Sequence, residues 1–128
     1  MKLAIIISLS LLSVIAVPVC SAESAEQMLS SCKAVTAATI TESSVIFVET
    51  FESGVCWGAF GTLIRALQAL DSENRRPLLG VCLPAKATRT EIIAVFVEYS
   101  KRHPERYHED FFLVALNAAH EAFPCAAK

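Results

Sequence analysis

An all-α domain of four helices, folded as two antiparallel helical hairpins and stapled by two disulfides, is the fold the sequence predicts. Three observations point to it. Apolar residues recur near a 3.6-residue period in four stretches. Helix-start and helix-stop residues punctuate those stretches. Four cysteines, Cys32, Cys56, Cys82 and Cys125, lie at matched distances on either side of two turns. The composition agrees: of 128 residues 54% are hydrophobic and 19% charged, with 4 glycines and 5 prolines, which excludes a disordered, collagen-like or linker-rich chain.

The chain opens with Lys2 and an apolar run, Leu3 to Val17, that Pro18 breaks before small residues. A charged head, an apolar middle and Cys20 and Ala22 at the two positions a peptidase inspects read as an export signal, residues 1-22, cleaved after Ala22. A membrane-spanning helix needs roughly twenty apolar residues, more than this run supplies. A lipid anchor on Cys20 wants a small residue before it, where Val19 stands. Residues 23-128 are then the mature domain, with 10 basic against 13 acidic residues and a formal charge of −3. That balance excludes charge-driven nucleic-acid binding, and no second long apolar stretch gives the mature chain a membrane role. Its expected place is the periplasm.

The first helix runs from Ser24 to about Ala38, with Ser24 as cap, Gln27 three residues on, and Met28, Leu29, Cys32 and Val35 on one face. A second runs from Val45 or Val48 to Leu70, with Phe51, Val55, Ala59, Thr62, Leu63, Ala66 and Leu70 on its broad face. Its start is open to a second reading, because Ser43 to Thr50 is β-branched and alternates as a strand does. Asp71 to Pro77 forms a polar loop, and Leu78 to Pro84 is extended. Thr88-Arg89-Thr90-Glu91 is a capping box that starts the third helix, which continues through Ile92, Val95, Phe96 and Tyr99. Lys101 and Arg102 suit its negative end, and His103-Pro104 stops it. Pro104 sits at the first turn of a fourth helix, with Phe111, Val114, Ala115, Ala118 and Ala122 inward, ending at Phe123-Pro124-Cys125.

Once the signal is gone, an even number of cysteines remains in an oxidising compartment, which reads as two disulfides. Cys82 and Cys125 stand 21 to 22 residues either side of the turn at His103-Pro104, and Cys32 and Cys56 about twelve either side of the turn near Ser44. Level positions in two hairpins predict Cys32–Cys56 and Cys82–Cys125. A zinc site lacks any C-x-x-C pair or H-x-x-x-H partner, so no metal is expected.

The order of motifs is more specific than any one of them. An early helical cysteine, Cys56-x-Gly58 in the second helix, Cys82-x-Pro84 before a capped helix, His103-Pro104-Glu105 and the final Phe123-Pro124-Cys125 together resemble the Rap/Tai family of type VI secretion immunity proteins, over most of the mature chain. The resemblance implies a small helical periplasmic protein, often a homodimer, that binds a peptidoglycan amidase effector and occludes its cleft. Gly58-Ala59-Phe60 stands where that family usually carries Gly-Tyr-Ile, with the next glycine at Gly61.

An enzyme is not expected. His108, Glu109 and Asp110 resemble an acid-base group, but no nucleophile stands beside them, every mature cysteine is used in a bridge, and neither a phosphate loop nor a G-x-S-x-G elbow is present. No catalytic residue and no cofactor site follow. The loop residues Asp71, Glu73, Asn74, Arg75 and Arg76 are the candidate partner contacts, since arginines there can meet acidic groups of a cleft. Trp57 beside Cys56 reads as core packing rather than as an exposed anchor, and Arg102, His103, Arg106 and His108 as a solvated helix junction. The competing function class is a small periplasmic chaperone or stress protein, which would bind many clients where an inhibitor binds one enzyme in fixed stoichiometry.

Overall fold

The structure, a computed structural model, describes residues 22–72 and 77–126, with backbone alone at 70–72. The predicted signal lies outside the described residues up to Ser21, and so do the candidate contacts Glu73, Asn74, Arg75 and Arg76; Asp71 is placed only as helical backbone. Five α-helices and one small β-hairpin follow in order: α1 (Ala25–Ser31), α2 (Lys33–Thr36), β1 (Thr39–Ile40), β2 (Val45–Ile46), α3 (Phe51–Ser72), α4 (Arg89–Arg102) and α5 (Phe111–Ala122). The mostly helical class holds, with a two-stranded antiparallel sheet added.

Ser24 caps α1, its hydroxyl accepting from the Gln27 amide while Gln27 Oε1 accepts from the Ser24 amide at 2.9 Å. The first helix is shorter than its periodicity suggests. At Cys32 the chain bends into the separate turn α2, and the Thr36 to Thr41 stretch leads into β1. The next amides of α1 find partners in the turn before α5. Ala25 N–H donates to the Glu109 carbonyl at 2.9 Å, Glu26 N–H to that of Tyr107 at 3.0 Å, and Phe111 N–H to that of Glu23 at 3.0 Å. These bonds satisfy donors that every helix start leaves open, and they hold residues 107–110 out of helix.

That explains why the last helix starts late. Pro104 opens only a 3-10 turn, Pro104–Arg106, and α5 begins at Phe111, where Asp110 Oδ1 accepts from Phe112 N–H at 2.8 Å and Leu113 N–H at 3.3 Å. A capping carboxylate outcompetes a favourable proline. Val114, Ala115 and Ala118 are buried as expected, Phe111 is half-buried, and Ala122 is exposed; Leu116 and Ala119 complete the inner face.

Helix α3 is rotated relative to the expected face. Ser53, Cys56, Phe60, Leu63 and Leu67 are buried, while Phe51 and Thr62 are exposed and Val55, Ala59 and Ala66 half-buried. The offset is one residue, about 100° of helix rotation. Apolar residues surround this helix, so periodicity alone does not choose a face. The Cys32–Cys56 disulfide does, because it draws Cys56 inward.

The core gathers Phe60, Leu63, Met28, Ile92, Ile93, Phe96 and Val114, all buried. Phe60 meets Phe96 with ring centroids 5.3 Å apart and Phe111 edge-on at 6.1 Å. Helices α4 and α5 share the most extensive contact. Arg102, in the last turn of α4, bonds Glu121, in the last turn of α5, at 2.7 Å. Cys82 and Cys125 pair as expected. They meet because residues 80–82 run beside 123–125 as a short antiparallel bridge: Cys82 N–H donates to the Phe123 carbonyl and Cys125 N–H to that of Gly80, each at 2.9 Å. The segment from Leu78, expected to be extended, first makes a 3-10 turn through Leu79 (φ 52°) and Gly80 (φ 72°).

Candidate partner-binding surface

The strongest surface feature is the β-hairpin with the start of α3. Four residues, Thr41 to Ser44, turn the hairpin. Thr41 N–H donates to the Ser44 carbonyl at 2.8 Å, and Ser44 N–H to Thr41 Oγ1 at 3.0 Å, so the backbone and side chains of the turn close on each other. Pairing sets Ile40 opposite Val45 and Thr39 opposite Ile46. Alternation along the second strand then sends Val45 and Phe47 inward, both half-buried, and Ile46 and Val48 outward. Phe47 packs on Trp57 with ring centroids 5.3 Å apart.

The start of α3 is closed by a reciprocal pair. Thr50 N–H donates to Ser53 Oγ at 2.8 Å, and Ser53 N–H to Thr50 Oγ1 at 3.1 Å. The strand-like stretch before Thr50 thus gives way to helix at Phe51, which resolves both readings of this segment: strand at Val45–Ile46, helix after Thr50. The outward Ile46 and Val48 and the first residue of α3, Phe51, are strongly apolar and exposed, at 62%, 70% and 83%, and Ile40, on the groove side with Val45, is 64% exposed. Large exposed apolar residues gathered on one element mark interaction sites more often than scattered single ones do.

Trp57 is half-buried between Phe47 and Arg89, in line with the packing role expected of it. The Arg89 guanidinium lies 4.4 Å from the centre of the indole, and its Nη1 donates to the Trp57 carbonyl at 3.2 Å. Gly61 makes room for it, since a Cβ there would come within 2.9 Å of the guanidinium. Arg89 is a residue that sequence reasoning passed over; its place in the third helix's capping sequence was its only visible feature. Here it clamps the start of α4 to α3.

A groove of about 470 Å³ opens between the hairpin turn and the start of α4, with Trp57 in its wall and Glu42 and Glu91 at its edge among the hydroxyls of Thr41, Thr88 and Thr90. Glu91 completes the capping box, its Oε2 accepting from Thr88 N–H at 2.7 Å. That hydrogen bond from the backbone, with a second from the Thr88 side chain, holds its carboxyl below the ordinary range and keeps it charged. A second, apolar groove of about 410 Å³ continues past Glu91 between Pro84, Ala87, Val95 and Phe123.

The junction after α4 is occupied by contacts within the chain. Arg106 makes a two-pronged pair with Glu109, Nε to Oε1 at 2.9 Å and Nη2 to Oε2 at 2.6 Å, and donates to the Tyr99 hydroxyl at 2.6 Å. The Glu109 bonds raise the guanidinium above its ordinary pKa, and the same bonds hold the Glu109 carboxyl below the usual carboxylate range. His103 stacks on Tyr99 with centroids 4.4 Å apart and meets Glu105 at 3.0 Å. Glu109 is therefore committed to Arg106 and Asp110 to capping α5, so both carboxylates beside His108 serve structure. Among the described residues no group of three or more histidine, cysteine, aspartate or glutamate side chains could hold a metal ion, and no helix is long and apolar enough to cross a membrane.

A stapled, mostly helical domain with an apolar, acid-edged face on its surface is the arrangement that has to be explained. A family model of Rap1a immunity proteins matches residues 24–125. No curated protein and no solved structure matches the chain.

Proposed function

The chain belongs to the Rap1a immunity protein family, and from that premise we propose that it is exported to the periplasm and neutralises a peptidoglycan amidase effector of the type VI secretion system. Residues 1–22 act as the cleaved signal and residues 23–128 as the mature inhibitor, which works as a homodimer. The family match over residues 24–125 carries the reading. Inhibition is steric: a rigid protein seated across the amidase cleft keeps peptidoglycan out and needs no chemistry of its own. Two disulfides suit an oxidising compartment. A well-packed core and clamped elements favour one fixed partner over the changing clients of a chaperone.

The test is a pull-down with exported protein as bait against periplasmic and secreted fractions, under oxidising conditions. The expected result is one amidase in fixed stoichiometry, whose cleavage of peptidoglycan stops when equimolar bait is added. Recovery of many unrelated clients would support the chaperone reading instead. Light scattering on the exported protein checks the homodimer.

A further inference from the structure

We propose that the β1–β2 hairpin and the first turn of α3 form the face that seats the effector, and that the surface it meets is an apolar cleft with a basic rim. The proposal rests on the immunity reading and adds to it the binding face and the chemistry of the partner.

The charge pattern supplies the partner's character. Between Lys33 and Arg65 the chain holds no lysine, arginine or histidine, but three glutamates, Glu42, Glu49 and Glu52. All three are exposed, interleaved with the outward Ile46, Val48 and Phe51. The adjoining groove adds Glu91. The nearest cation of α4, Arg89, is turned onto the Trp57 ring and carbonyl. An apolar centre with a polar rim is the usual anatomy of a binding face, and a rim of one charge sign is complemented by the opposite sign on the partner.

A second copy of this chain fits poorly. A two-fold contact through the hairpin would set glutamates against glutamates, and like charges brought together across an interface disfavour it. The face is also held in shape before binding. Phe47 is pinned on Trp57, the turn is closed by Thr41 and Ser44, and α3 is tied to the core through Cys56. Preorganisation reduces the ordering cost of association.

The experiment uses the exported protein and the purified amidase recovered in equimolar complex with it, with affinity measured by calorimetry. Val48→Glu and Phe51→Glu alter side chains that the core does not use, so unchanged circular dichroism and melting are expected. Each is expected to weaken binding at least tenfold. A Glu42→Lys/Glu49→Lys/Glu52→Lys variant should weaken it further, and wild-type affinity should fall as salt rises. Leu113→Glu, on α5, should bind as wild type. Wild-type affinity in all the hairpin variants would overturn the face while leaving the immunity function intact. A change of oligomeric state in those variants without loss of amidase binding would also overturn it, and would make the hairpin a contact between copies. Failure to obtain any amidase complex would overturn the immunity reading and this face together.

Discussion

Glu109 shows how a residue that looks available for chemistry is already spent on structure. Its carboxylate, paired with Arg106, titrates below its ordinary range in the folded chain. Unfolded, it regains the ordinary value. Its contribution to stability is therefore present in full above the ordinary carboxylate pKa and is lost as pH falls through the lower folded one. Glu109→Gln should lower the melting temperature slightly at pH 7, and wild type and variant should converge as the pH falls below the carboxylate range. Melting curves across pH 7 to 2 check this; a gap that stays constant would show that the pair acts only as packing. Leu79 carries a different cost. It sits at φ 52°, a left-handed conformation that strains residues with a Cβ, and its side chain is 57% exposed, so little packing offsets the strain. Leu79→Val adds a branch and should cost about 1 kcal/mol in urea unfolding, whereas Leu79→Gly should leave stability unchanged or raise it by up to about 1 kcal/mol.

At the scale of elements, legibility in the sequence follows how local the cause is. The start of α4 can be read directly, because Thr88 and Glu91 satisfy each other within one turn and need no distant partner. Thr88→Ala should cost about 1 kcal/mol, measured by urea unfolding, with Thr88→Ser close to wild type. The start of α5 cannot be read so directly. Pro104 and Asp110 are both good starting residues, and the choice between them depends on Ala25 and Glu26 donating to residues 109 and 107 from the far end of the chain. The face of α3 is obscured for a similar reason: with alanine, phenylalanine, valine and leucine all round, the disulfide to Cys32 decides which of them turn inward. The disulfide pairing itself was legible, although Cys82 and Cys125 meet through a short backbone bridge and not through level helix ends. The candidate contact surface was legible only in part. The 71–76 loop is visible by its charge, while the hairpin shows in the sequence only as a β-branched stretch beside a turn, which reads equally as the start of a helix or as a strand and does not say which side chains face outward.

For the molecule as a whole, the staples and the compartment are coupled. A domain of about a hundred residues buries too little apolar surface to be strongly stable, and total stabilities run about 5–15 kcal/mol. The two disulfides span 24 and 43 residues of sequence, which on the chain-entropy model is about 3.5 and about 4 kcal/mol. Their loops, 32–56 and 82–125, do not overlap, so the contributions should add. Together they match a large share of the whole stability. The Cys82→Ser/Cys125→Ser variant should lose about 0.5 kcal/mol more than Cys32→Ser/Cys56→Ser, and full reduction should leave the chain unfolded at body temperature. It follows that a chain lacking residues 1–22, held in a reducing cytoplasm, should be degraded and give no protection against the effector. The same chain in an oxidising cytoplasm should fold and bind its effector. Non-reducing gels with pulse proteolysis of both lysates check the outcome. If the reduced chain proved protease-resistant and bound the effector, the core alone would suffice, and the dependence of this fold on an oxidising compartment would have to be abandoned.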